Sequence, residues 1–180
     1  PFVANATGIG GLSATVSGPG GGDFARTEQS SGWNGNFSPG ETLLRTFTSL
    51  GPVTFTFNSD IAGFGAQIQQ NSSGAFTATI EAFESGFNSL GSFNLPGIAN
   101  GAADDSAIFI GILSDMQDIR RVSFSTGTNS FAINSPRIQV APAVASTPVP
   151  AALPLGLMGM AGLAYLRKRR GKATAEPVGV

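Results

Sequence analysis

Between residues 42 and 140 the side chains alternate in character with a period of two. Val53, Phe55 and Phe57 alternate with Thr54, Thr56 and Asn58; Phe64, Ala66 and Ile68 with Gly65, Gln67 and Gln69; Phe76, Ala78, Ile80 and Ala82 with Thr77, Thr79 and Glu81. Successive side chains of a strand point to opposite faces, so this pattern predicts half-buried antiparallel strands. The breaks between them, at 58–60 and 70–74, are rich in turn formers. No stretch in 42–140 holds a helical period for three turns. Residues 106–113 (SAIFIGIL) are nearly all apolar and predict a central strand covered on both faces. Residues 86–103 are looser and predict one short strand at 89–93. The last strands fall at 121–125 and 130–140, where Pro136 predicts an edge or bulged strand. Residues 1–40 are turn-dense, with short strands expected near 14–16 and at Phe24. Eight or nine short strands at even spacing predict an all-β fold, an antiparallel, jelly-roll-like β-sandwich over residues 1–140. Phe55, Phe57, Phe76, Ile80, Phe109 and Phe124 are expected in one layer between its sheets.

Composition removes several chemistries. The 180 residues include no Cys and no His. That excludes disulfides, thiol nucleophiles, His-bound metals and a Ser-His-Asp triad. Residues 1–147 hold ten acids and five bases, a net charge of −5, which repels nucleic acid. The chain begins at Pro1 rather than Met, so a processed product is expected.

The carboxy-terminal segment has a different character. Residues 141–150 (APAVASTPVP) predict an extended linker. Residues 151–166 are uncharged and apolar, and 167–180 open with RKRRGK, five bases in six positions. As a helix, 149–166 would be about 27 Å long, marginally enough to cross a hydrocarbon core of about 30 Å. The bases would then remain in the cytoplasm and the body outside. A single hydrophobic transmembrane helix, transient membrane anchoring and an extracellular or outer-envelope location are therefore expected. Thr147-Pro148-Val149-Pro150-Ala151, the apolar run, and Arg167, Lys168, Arg169 and Arg170 together resemble the PEP-CTERM sorting signal in its Val-Pro-Leu-Pro-Ala variant. Val149 stands where the Pro-Glu-Pro form has Glu, and Thr147 where the variant has Val. The resemblance implies a bacterial exosortase substrate, with the membrane and a sorting protease as partners. It covers under a fifth of the chain. The segment 107–127 resembles, more loosely, the β-sandwich passengers of that signal.

Within the body, Trp33 lies in a turn with Asn34 and Asn36 beside it. An indole covers the apolar face of a pyranose and an amide serves its hydroxyls, so these three are candidate sugar ligands. Trp33 as a plug at one end of the sandwich is the competing reading. Asn100, Asp104 and Asp105 are candidate calcium ligands, since calcium prefers several loop oxygens; solvated turn acids are the alternative. No other cofactor is expected. Glu81 and Glu84 are the best carboxylate pair for a glycosidase-like reaction, although Glu81 falls on the polar face of its strand. The expected function is thus a secreted or surface-sorted, non-catalytic matrix or envelope protein that binds carbohydrate. A self-assembling structural surface protein and a weak hydrolase are the alternatives.

Overall fold

A computed structural model of the chain describes residues 4–7, 11–18, 24–47, 51–127 and 130–141. Eleven strands run in order: β1 Ala4–Thr7, β2 Ser13–Ser17, β3 Phe24–Glu28, β4 Thr42–Thr46, β5 Val53–Ile61, β6 Gly63–Gln70, β7 Gly74–Phe83, β8 Ser89–Ala99, β9 Ile108–Leu113, β10 Ile119–Thr126 and β11 Phe131–Gln139. They form two antiparallel sheets packed as a sandwich. One has six strands in the order β1-β2-β5-β10-β7-β8, the other five in the order β3-β4-β11-β6-β9.

Register explains the core. Val122 on β10 sits opposite Phe55 and Ala82, and Phe124 opposite Val53 and Ile80. All six are buried and share the inner face of the larger sheet. From the smaller sheet, Phe64 enters among three of the rings. Its centroid lies 5.0 Å from Phe55, 5.2 Å from Phe57 and 5.7 Å from Phe124, all tilted or edge-on. Such pairs add about 0.5–1.5 kcal/mol each beyond area burial.

Five of the six residues expected in the core layer are buried; Phe109 is 49% exposed. The reason is that β9 is an edge strand rather than a central one. Its Ile110 and Ile112 face inward, while Phe109, Gly111 and Leu113 face out. The second difference is β8, which runs unbroken for 11 residues where one short strand was expected. Pro96 is tolerated there because β8 is also an edge, paired with β7 alone. Pro136 coincides with a bulge in β11 between Asn134 and Arg137, where Ser135 takes φ +48°.

The expected transmembrane helix requires correction. Among the described residues every regular element is a strand, and no helix is long and apolar enough to cross a membrane. The membrane-anchored localisation rested on that helix and is withdrawn with it. Residues 142–180, which include the helix expected at 151–166, Pro148, Val149, Pro150 and Ala151 of the sorting motif, and the basic Arg167, Lys168, Arg169 and Arg170, lie outside the described residues.

Candidate functional site

Residues 29–41 fold back over the outer face of the five-stranded sheet. Trp33 and Phe37 from this segment pack with Leu43, Ala107 and Ala132 into a second small core. Trp33 is 3% exposed. The Arg45 guanidinium lies 5.5 Å from its ring centroid and Arg45 Nη1 donates to the Gly32 carbonyl. No face of the indole is open to a sugar ring, which corrects the expected stacking role. Glycine suits residue 35, because a Cβ there would collide with Gln69 Oε1 and Trp33 Nε1, and one of them would have to shift.

Asn36 is fully buried, and a buried amide is costly unless its polar atoms are paired. Here all of them are. Its backbone N–H donates to Gln69 Oε1 (2.7 Å), and Gln69 Nε2 returns a bond to Asn36 Oδ1 (2.5 Å). Asn36 Oδ1 also accepts from the Asn100 backbone N–H (2.7 Å). Asn36 Nδ2 donates to Asn100 Oδ1 (2.7 Å), Ser106 Oγ (2.8 Å) and Asp104 Oδ1 (3.2 Å). The Asn36 carbonyl accepts from the Ala107 N–H, and the Gly35 carbonyl from the Ala103 N–H. Gln29 adds a second amide clasp on Gly35. The turn at 34–37 is thus stitched to the loop 100–107 by side chains more than 60 positions apart.

The structure therefore brings Asn36 from the expected sugar site together with Asn100 and Asp104 from the expected calcium site, and ties them to one another. Their oxygens already accept N–H or O–H groups. Asn100 Oδ1 takes the Ala102 N–H as well, and Asp104 Oδ1 takes the Ser106 hydroxyl and N–H. Asp105 accepts from Gln67 Nε2 instead. The Asn36 N–H groups aimed into this cluster oppose a cation. Among the described residues no group of three or more acidic side chains is placed to hold a metal. The Ser106 hydroxyl and the Asn36 amide hold the Asp104 carboxyl below its ordinary pKa, since both favour the charged form. Asn34 is exposed beside Gly101. Glu81 accepts from Ser89 Oγ and Glu84 from Asn88 Nδ2, so both carboxylates fasten the β7–β8 hairpin.

The least satisfied part of the molecule lies elsewhere. β8 carries no charged side chain. Phe93 is opposite Ile80 and Leu95 opposite Ala78, so both continue the inner layer of the six-stranded sheet. β9, the edge of the facing sheet, packs mainly against β7 and less against β8, so the inner face of β8 is only partly covered. Phe93 is 57% exposed in consequence, and Leu95, Leu90 and Ile98 are exposed on the same strand. Alternation alone placed none of these residues at the surface; the strand order was needed.

No protein-family profile and no curated protein matches this chain. Among solved structures it is similar to a DUF4465 family protein from Bacteroides caccae, with 10% identity, a TM-score of 0.45, and coverage of 77% of this chain and 86% of that one.

Proposed function

We propose that this chain is a non-catalytic β-sandwich module that associates with further copies of itself through β8. The observation that carries the reading is the state of that strand: 11 residues long, bonded on one side only, uncharged, with four large apolar side chains exposed. An open edge of this kind is a template for strand pairing. Natural edges are normally blunted by charge, shortness or cover; β8 has only Pro96 and the irregularity between Ala82 and Phe83. Overlap of two Phe93–Leu95 patches would add apolar burial to the backbone bonds. Sedimentation of the full chain over a concentration series tests this, alongside Phe93→Lys. Concentration-dependent association, weakened about tenfold or more by the substitution, is expected. A single species at every concentration, or equal association in the two proteins, contradicts it.

The reading of residues 147–170 as an exosortase sorting signal is a separate proposal. It is supported by the order Pro148-Val149-Pro150-Ala151, apolar run, Arg167–Arg170. Intact-mass measurement of the protein produced with and without an exosortase tests it; truncation near the motif is expected, and an unchanged mass contradicts it.

A further inference from the structure

The outer face of the five-stranded sheet holds a second feature, two rungs along β6 from the amide cluster. Three rungs cross β11, β6 and β9: Asn134–Gln67–Phe109, Arg137–Gly65–Gly111 and Gln139–Gly63–Leu113. Opposed residues share a face, so the glycines lay a side-chain-free track along β6. Arg137 and Gln139 rise on one side of it, Phe109 and Leu113 on the other. A Cβ on Gly65 would lie 2.7 Å from Phe109 Cζ, and one on Gly111 3.3 Å from Phe109 Cε1. The ring is therefore laid down across the track, where only glycine leaves room. Its exposure of 49% leaves aromatic surface open to solvent. The resulting open trough has a volume of about 440 Å³.

Arg137 distinguishes this trough from a bare apolar patch. The other described arginines are engaged. Arg120 pairs with Asp60 at 3.1 Å, Arg121 lies 3.9 Å from the Phe87 ring centroid, Arg45 covers Trp33, and Arg26 donates to Thr42 Oγ1. Among the described residues Arg137 alone has no such partner. It is an exposed fork of donors at the wall of an aromatic-floored trough, on a domain whose net charge is otherwise negative.

We propose that this trough binds an acidic polysaccharide, one hexuronate ring at a time, with the C–H face of the ring on Phe109 and its carboxylate on Arg137. A flat platform suits a pyranose face, and guanidinium matches carboxylate bidentately. Gln139, which also lines the trough, offers an amide to ring hydroxyls. A lone cation suits one carboxylate per residue better than the closely spaced phosphates of a nucleic acid. An acyl chain would keep one side in water, because the trough is open on its upper side.

The test uses the full chain and a panel of oligouronates (galacturonate, mannuronate, glucuronate), each with its methyl ester as a neutral isostere. Binding is followed by calorimetry and by amide shifts of Gly63, Gly65 and Gly111. At least one acid is expected to bind and shift those amides, with its ester at least about tenfold weaker. Arg137→Gln should remove the preference for acid over ester, and Arg137→Lys should restore part of it. Phe109→Ala should weaken both ligands. Both positions, Arg137 and Phe109, are on the surface, and unchanged thermal midpoints would show the fold intact. Failure of every acid to bind, equal binding of acid and ester, or full affinity in Arg137→Gln overturns the proposal. Phe93→Lys should leave this binding unchanged, so the site and the β8 interface stand or fall separately.

Discussion

Two regions of the sandwich treat aromatic and amide side chains in opposite ways. On the covered flank, residues 29–41 lie over the sheet; Trp33 and Phe37 are buried, and Gln29, Asn36 and Gln69 are buried polar groups held in a closed set of hydrogen bonds. On the open flank, edges β8 and β9 expose Phe93 and Phe109, and the outward positions of β6 shrink to Gly63 and Gly65. Gln69 and Gly65 lie on the same outer face of β6, two rungs apart. One is sealed beneath a loop and the other forms the floor of a trough. Buried polar groups that satisfy one another fix a structure; they leave little for a ligand. Surface that is uncharged, apolar and uncovered is where a binding partner is sought.

The largest separation between the flanks is expected from truncating one ring on each. Phe37→Ala should lower unfolding free energy by about 3–5 kcal/mol, as for a fully buried Phe. Phe109→Ala should change it by less than about 1 kcal/mol. Urea denaturation of the two variants checks this, and equal losses would erase the distinction.

Next comes the amide hub. Asn36→Ala strips partners from Gln69, Asn100 and Ser106 at once, and about 3 kcal/mol of stability should be lost, because a buried group left unpaired costs about 1–3 kcal/mol. A loss below about 1 kcal/mol, by the same denaturation, would mean that water replaces the side chain.

Glycines give a smaller contrast. Gly35→Ala forces a methyl against Gln69 and Trp33 and should cost about 2 kcal/mol. Gly111→Ala meets the exposed edge of Phe109, which can move outward, and should cost less than half as much. Thermal midpoints of the pair test the order.

The smallest effect is the pH response of the covered flank. Asp104 has its folded-state pKa depressed by Ser106 and Asn36. Its contribution is therefore present at neutral pH and above the unfolded pKa, and is lost as pH falls through the lower folded value. Asp104→Asn should flatten the stability profile slightly in acid and leave it parallel to the parent near neutrality. A changed slope near neutral pH would assign the response to other groups.

Legibility in the sequence followed the same division. Strands with one face in the core, such as β5 and β7, keep strict alternation because water and protein select opposite residue types. β9 misled because Phe109 and Leu113 look like core residues, although they cover glycines on an outer face. β8 was largely hidden because Gly91, Pro96 and Gly97 interrupt its pattern, which an edge strand permits. Trp33 and Asn36 stood out as unusual, but the side-chain partners of Asn36 are 33 to 70 positions away. No local spacing carries that information, and it decided between a ligand site and a structural clasp. Arg137 showed no local signal either; its isolation emerges only once the other arginines have partners.

The most direct measurement of the central claim is hydrogen exchange along β8 as a function of protein concentration. An edge that pairs with another copy should gain protection at the outward amides between Leu90 and Leu95 as concentration rises, while exchange on β5 and β10 stays constant. Phe93→Lys should abolish the gain. Exchange along β8 that remains fast and independent of concentration would contradict the account.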